Sequence, residues 1–108
     1  MSKSLIPKLE AIKQRYNEVA DLIIQPDVIS DQKKYSSLNK EYSDLGKIVH
    51  VYNQYKGALD NIAESEEIIA DGSDRDLVDM AKEEKVEAQG KLPGLEEELK
   101  VLLIPKDP

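Results

Sequence analysis

The sequence predicts an all-α fold: an antiparallel bundle of about three long helices with coiled-coil-like packing. The main observation is that apolar residues recur at alternating three- and four-residue steps, which places them in one stripe along a helix. A second observation is that 40% of the residues are hydrophobic and 34% are charged, which suits exposed helices with a narrow buried stripe. The stripe contains Leu5, Leu9, Ile12, Tyr16, Val19 and Ile23, and then Tyr35, Leu38, Tyr42, Leu45, Val49 and Tyr52.

The first helix is predicted to begin near Ser4 and to end near Ile24. Pro7 is compatible with its first turn, where backbone N–H groups have no partner within the helix. The sequence Gln25-Pro26-Asp27 then ends the helix, because a residue that precedes proline is disfavoured in helical conformation. A connection this short usually returns the chain antiparallel to the first helix.

The second helix is predicted to run from Asp31, behind an N-cap at Ser30, to about Ala70, a length of ~60 Å at 1.5 Å per residue. Near its middle, two successive three-residue steps locally overwind a coiled coil. Two glycines also weaken the helix there. We therefore expect a bend, or a change of packing partner, around residues 46–57. The stripe is expected to continue with Tyr55, Leu59, Ile62, Glu66 and Ile69.

A third helix is predicted to follow from Asp74. Gly72 suits the left-handed position that ends a helix, and Ser73 with Asp76 three residues later resembles an N-terminal capping pattern. Between residues 82 and 91 only Val86 and Ala88 are expected to face the core. The predicted stripe of this helix consists of Leu77, Ala81, Ala88, Leu92, Leu95, Leu99 and Leu102.

The segment from Gly90 to Gly94 interrupts the third pattern, because Pro93 lacks a backbone donor and clashes with the preceding turn. We expect the third helix to be kinked or broken there and to resume through Leu103. Residues 1–104 are then one helical domain. Residues 105–108, with two prolines, are predicted to begin an extended linker to downstream domains.

The composition excludes several classes of protein. There are no cysteines, which excludes disulfides and thiolate metal sites. No apolar run could span a bilayer and no signal-peptide pattern is present, so a cytoplasmic protein without a membrane partner is expected. His50 is the only histidine, and the acidic residues around 64–79 lack the spacing of a calcium loop. Solvated helix faces explain these carboxylates, with an acidic docking surface for a basic partner as the alternative. We therefore expect no catalytic residue, metal, cofactor or small-molecule substrate, and no enzyme.

Charge divides the chain into two halves. Residues 1–56 carry a net charge of +2, whereas residues 57–108 carry −9 and should repel phosphate backbones. Contacts with an anionic partner are therefore assigned to Lys13, Arg15, Lys33 and Lys34, with ordinary solvated charges as the alternative. Tyr16, Tyr35, Tyr42 and Tyr52 could stack on bases, but their stripe positions favour burial.

Two stretches carry a resemblance to a known family. Pro26-Asp27-Val28-Ile29-Ser30-Asp31-Gln32-Lys33-Lys34-Tyr35, with the later Leu38, Lys40-Glu41-Tyr42 and Leu45, resembles the N-terminal domain of bacterial class I peptide chain release factors. The closing Leu-Leu-Ile-Pro-Lys-Asp-Pro resembles the subtype that reads UAA and UAG. The family has a straight third helix where this chain has Gly90-Lys91-Leu92-Pro93-Gly94.

The resemblance implies a role in translation termination. Its expected partners are the ribosome, at the large-subunit stalk base with its protein and rRNA, and the class II release factor GTPase. The family's catalytic Gly-Gly-Gln does not occur in this sequence, so no catalytic residue is carried over. The alternatives are a free-standing coiled-coil adaptor or chaperone arm, and a tRNA-binding synthetase arm, which the acidic second half disfavours.

Overall fold

The computed structural model describes residues 5–105, and these residues form four α-helices without any strand. In chain order the helices are α1 (Leu5–Leu22), α2 (Pro26–Ile29), α3 (Gln32–Asp71) and α4 (Arg75–Leu102). The prediction of an all-α fold of long helices is confirmed, although the sequence did not indicate the short α2. The predicted helix start at Ser4 and residues 106–108 of the predicted linker lie outside the described residues.

The chain divides into two compact units, Met1–His50 (unit 1) and Val51–Pro108 (unit 2), and α3 contributes to both. In unit 1, α3 contacts α1 through Tyr42 and Tyr16. In unit 2, α3 contacts α4 through Tyr55 and Glu96. The predicted change of packing partner within residues 46–57 is therefore confirmed, and a bend of α3 stays a prediction.

The core of unit 1 joins all three of its helices. Val19 of α1, Val28 of α2 and Leu38 of α3 are buried together. Pro26 occupies the first turn of α2, where its missing donor has no consequence. Val28 is 1% exposed and the adjacent Ile29 is 56% exposed, so α2 is anchored to the core through Val28. The partly buried residues packed against this core are Leu22, Ile23 and Tyr42.

Aspartates, and not the predicted serines, cap the two long helices. Asp31 Oδ1 accepts a hydrogen bond of 3.1 Å from the Lys34 backbone N–H, whereas Ser30 ends α2 and its N–H bonds to the Pro26 carbonyl. The N-cap of α4 is Asp74, which accepts from the N–H groups of the second and third helical residues. The prediction for Gly72 is confirmed, since its φ is +64°.

The buried stripe of unit 2 uses smaller side chains than the sequence pattern suggested. On α3 the buried residues after Tyr55 are Ala58 and Ser65, while the predicted Leu59 and Glu66 are exposed. The reason is that a further three-residue step from Tyr55 leads to Ala58, from which steps of four and three residues lead through the partly buried Ile62 to Ser65. The predicted Ile62 and Ile69, which share this side of the helix with Ala58 and Ser65, are partly buried.

On α4, Leu77 and Val86 are also exposed, contrary to prediction. Lys85 lies between the buried Ala81 and Ala88, with its Nζ 4.0 Å from Glu66 Oε2. Its aliphatic stem can cover apolar surface while the amine reaches a carboxylate. A lysine thus fills the position that the sequence pattern left without an apolar residue.

Of the predicted kink or break at Gly90–Gly94, the break is excluded, because α4 is continuous from Arg75 to Leu102 with Pro93 in its interior. Pro93 itself is exposed, whereas Leu92 and Leu95 are partly buried and Leu99 is fully buried. Burial on both sides of the proline offsets the lost hydrogen bond. A kink at this point stays a prediction.

The anchoring of α2 can be tested by comparing Val28→Ala with Ile29→Ala. Removing two buried methyl groups at Val28 is expected to lower the free energy of unfolding by about 2 kcal/mol. Ile29→Ala should change it by less than about 0.5 kcal/mol, because exposed substitutions rarely matter more. Urea unfolding followed by circular dichroism measures both. Equal effects would contradict the docking of α2 through Val28.

The cost of the internal proline can be tested with Pro93→Ala. The substitution restores a backbone donor and removes a steric clash, so we expect the free energy of unfolding to rise by roughly 1–3 kcal/mol. Gly90→Ala, one turn earlier and open to solvent, should stabilise by at most about 1 kcal/mol. A lower melting temperature for Pro93→Ala would show that the proline is needed in the folded helix.

Candidate partner-contact surface

The four predicted contact residues lie in unit 1, two on α1 and two in the first turn of α3. Lys13 and Arg15 are two residues apart on α1, so their side chains leave the helix about 200° apart and flank the buried stripe on opposite sides. Lys33 and Lys34 follow the N-cap Asp31 directly. The structure therefore does not gather the four cations into one patch.

Arg15 is bound within the protein. Its Nε and Nη2 donate to the two carboxylate oxygens of Glu41 at 2.7 and 2.9 Å, and its Nη1 lies 3.7 Å from Glu18 Oε2. These hydrogen bonds from Arg15 lower the pKa of the Glu41 carboxyl, and the Glu41 hydrogen bond raises the pKa of the guanidinium. Such a bidentate pair links α1 to α3 and leaves Arg15 less free to bind a partner.

Lys33 and Lys34 are both exposed, and neither amine forms an ion pair with another side chain of residues 5–105. Cations at a helix N-terminus oppose the helix dipole, and the first turn of α3 contains no acidic residue. Their position therefore contributes nothing favourable to helix stability through the dipole. Together with the exposed Ile29 and Tyr35, they form a mixed cationic and apolar surface, the α2–α3 corner.

The tyrosines follow the predicted burial with one exception. Tyr16 and Tyr42 stack at 4.7 Å between ring centroids, and Tyr16 Oη donates to Tyr42 Oη at 3.0 Å, which raises the pKa of Tyr16. Gly46 permits this stack, because a Cβ there would lie only 3.3 Å from Tyr16 Cε1. Tyr52 is buried.

The predicted burial of Tyr35 is wrong, since 38% of it is exposed. In the antiparallel register that brings Val19 to Leu38, Tyr35 lies one turn before Leu38, opposite the last residues of α1. The partner helix ends there, so the stripe position is left without a cover. This places an aromatic ring beside Lys33 and Lys34, which the sequence pattern did not indicate.

In unit 2 the polar contacts support the packing of α3 against α4. Tyr55 Oη donates to Glu96 Oε1 at 3.1 Å, and burial together with this hydrogen bond raises the pKa of Tyr55. His50, at the end of unit 1, is exposed. Within residues 5–105 no group of three His, Asp or Glu side chains is placed to hold a metal ion, and no helix has the length and hydropathy needed to span a bilayer.

The Arg15–Glu41 pair predicts a pH-dependent stability. Because the pKa of folded Glu41 is depressed, its stabilisation is present above the unfolded carboxyl pKa of about 4.3 and is lost as the pH falls through the lower folded value. Glu41→Gln should therefore lower the melting temperature at neutral pH, and the difference from the unsubstituted chain should disappear in acid. Glu83→Gln, on the exposed face of α4, is the control. A deficit that persists unchanged in acid would contradict a role for the charge.

Comparison with known proteins places these features in a family. The chain matches the PCRF domain family over residues 12–108. It is 55% identical to peptide chain release factor 1 of Flavobacterium johnsoniae, over 96% of this chain and 29% of that protein. It is 54% identical to peptide chain release factor 1 of Flavobacterium psychrophilum, over 95% of this chain and 29% of that protein.

A more distant relative is peptide chain release factor 1 of Staphylococcus carnosus, 46% identical over 96% of this chain and 29% of that protein. The chain therefore spans less than a third of the length of these relatives. No solved structure matches it. Because the PCRF match covers most of the chain and the identities are high, the chain belongs to the peptide chain release factor family, as an N-terminal domain of the release factor 1 type.

Proposed function

We propose that this chain positions a peptide chain release factor on the ribosome during translation termination. The observation that carries the proposal is 55% identity to a release factor 1 over 96% of the chain. In this proposal the parent protein acts in the cytoplasm, where it recognises the stop codons UAA and UAG and triggers hydrolysis of peptidyl-tRNA. This chain contributes contacts with the stalk base of the large subunit, both its protein and its rRNA, and with the class II release factor GTPase.

The proposed domain is not an enzyme by itself. The sequence contains no Gly-Gly-Gln, the motif that the family uses for hydrolysis. Residues 1–104 are proposed to form the positioning domain, and residues 105–108 the start of a linker to the domains that carry codon reading and hydrolysis. The role left to the helices is to present side chains on their outer faces.

The α2–α3 corner is proposed as the surface that meets the stalk base. Lys33 and Lys34 supply the positive charge that phosphate groups require. Tyr35 and Ile29 supply exposed apolar surface suited to a base or to a protein side chain. Arg15 is a weaker candidate because Glu41 holds it, and Lys13 lies on the opposite flank of α1.

The distribution of charge supports the proposal that unit 1, and not unit 2, meets the rRNA. Residues 57–108 carry a net charge of −9, so an approach of unit 2 to rRNA would be repelled. Residues 1–56 carry +2 and include Lys33 and Lys34, which are exposed in the first turn of α3. The alternative of a free-standing adaptor or chaperone arm is not favoured, since the high-identity relatives bear the name of a release factor.

The test is binding of the 108-residue chain to a stalk-base particle made of the rRNA fragment and its bound protein. Lys33→Glu combined with Lys34→Glu should weaken binding at least about tenfold and reduce its salt dependence, as expected for lost phosphate contacts. Fluorescence anisotropy at low and high salt measures both effects.

The matched control is Lys40→Glu combined with Lys47→Glu. Both lysines are exposed on the same helix, and the charge change is identical. Lys40 lies two residues, or about 200°, from the buried Leu38, on the outer side of α3. Equal weakening by the two double variants would show that only net charge matters. Undiminished binding of the variant with Lys33→Glu and Lys34→Glu would show that the α2–α3 corner is not part of the interface.

A further inference from the structure

The helices of unit 2 carry a second stripe that faces solvent. On both α3 and α4 it repeats at the same three- and four-residue steps as the buried stripe, and every residue in it is exposed. Residues at these steps share one side of a helix, so each stripe marks one exposed side of its helix. On α3 the stripe consists of Gln54, Gly57, Asn61, Glu64, Ile68 and Asp71, and on α4 of Leu77, Met80, Glu84, Glu87, Lys91, Gly94 and Glu98.

Between the two stripes lies an open groove. It has a volume of about 880 Å³ and is lined by both helices, including the buried Ala58 and Ala88. Three of its lining positions are glycines, and a Cβ built at any of them would meet no atom within 4 Å. The missing side chains at Gly57, Gly90 and Gly94 thus widen the groove without bringing α3 and α4 closer.

The part of the two stripes nearest the α3–α4 turn, the apolar end, carries exposed aliphatic side chains. A smaller depression of about 270 Å³ at the α3–α4 turn is lined by Ile68 and Leu77. Met80 lies one helical turn beyond Leu77 on the same stripe, and all three side chains are exposed. Although the sequence pattern assigns Leu77 to the core, none of the three side chains is buried, so their hydrophobic surface is free to contact another molecule.

The walls of the groove are anionic. The two stripes contain five carboxylates and a single lysine, Lys91, whose Nζ lies 3.7 Å from Glu87 Oε1. Glu67 and Asp74 add two further carboxylates around the apolar end. An occupant must therefore combine positive charge with aliphatic side chains.

We propose that this face of unit 2, the acidic groove, docks a cationic amphipathic helix of a protein partner. Aliphatic side chains of the helix contact Ile68, Leu77 and Met80, and its Lys or Arg residues lie along the carboxylates of α3 and α4. A groove between two antiparallel helices accepts a third helix by the packing that forms helical bundles.

The negative charge of the groove favours a cationic helix over a nucleic acid or a second copy of this chain. A nucleic acid is repelled by the carboxylates, and so is the same face of a second copy. The inference goes beyond the proposed function, whose lysines lie in unit 1. If the test of the α2–α3 corner fails, the proposal for the acidic groove is unaffected. If the test of the acidic groove fails, the proposal for the corner is likewise unaffected.

The probe is a synthetic helical peptide with leucines at three- and four-residue steps and lysines on its flanks. It should bind the 108-residue chain with an affinity that falls as salt is added. The same peptide with every lysine replaced by glutamate should not bind. Anisotropy of a labelled peptide measures both. Absence of binding by the lysine peptide, or equal binding by the glutamate peptide, would overturn the proposal.

Matched charge reversals locate the site. Glu84→Lys combined with Glu98→Lys places two positive charges in the groove and should weaken binding at least about tenfold. Glu83→Lys combined with Glu97→Lys makes the same change of net charge on neighbouring exposed residues outside the lining, and should weaken it by no more than about twofold. Equal effects would reduce the interaction to non-specific attraction and refute the site.

Matched apolar substitutions test the anchoring end. Leu77 is 51% exposed and Val86 is 68% exposed on the same helix, so neither Leu77→Ser nor Val86→Ser should disturb the fold. Only Leu77→Ser is expected to weaken binding, by about fivefold or more.

Gly57→Leu should also block binding, because the leucine side chain fills the groove. Helicity should be kept, because leucine is a better helix former than glycine. A dimer of the chain that the peptide dissociates would show that a second copy occupies the groove instead.

Discussion

The structure depends on one constraint: α3 must bury a single apolar stripe against α1 and α2 in unit 1 and against α4 in unit 2. Between Val49 and Ala58 the stripe advances by three residues at each step, through Tyr52 and Tyr55, and all four residues are buried. A three-residue step turns the buried position by about 60° around an α-helix. The buried position thus shifts around α3 between Val49 and Ala58, and the buried residues of α3 after Tyr55, Ala58 and Ser65, are smaller. Everything on the outer faces, including both candidate binding surfaces, is defined by what this stripe leaves exposed.

Periodicity was sufficient to predict the long helices, but not which residues they bury. The choice of Leu59 and Glu66 over Ala58 and Ser65 came from assuming that the alternating rhythm resumes after Tyr55, whereas the buried positions continue with another three-residue step. The caps failed for a related reason. Serine and aspartate are equally good N-caps, so the sequence could not show that the extra turn of α2 would occupy Ser30 and leave the capping role to Asp31.

The charge of a residue does not determine whether it is available to a partner, as the four candidate contact residues show. Lys13, Arg15, Lys33 and Lys34 are equivalent in composition, yet Arg15 is held by Glu41, 26 residues away in sequence, through a register that only the folded α1–α3 pair defines. Tyr35 is exposed at the α2–α3 corner because α1 ends opposite it. This depends on the length of the neighbouring helix, which the pattern around Tyr35 does not show. Family resemblance identified the chain from the peptide around residues 26–35 and from the closing heptapeptide. The structure then separates, within that first peptide, the buried Val28 from the exposed lysines.

The glycines of unit 2 show why a helical bundle can hold a binding surface without an enclosed cavity. Each interior glycine costs a helix about 1 kcal/mol relative to alanine, and such a cost is usually offset where another backbone approaches closely. Gly46 has a comparable reason, because the Tyr16 side chain packs over it. Gly57, Gly90 and Gly94 do not, since the space above each is open. Their absent side chains shape only the groove between α3 and α4, whose lining also includes Glu84, Glu87 and Glu98. A stabilising alanine at each of these positions would fold at least as well, so the internal packing of the chain gives no reason for glycine at any of the three.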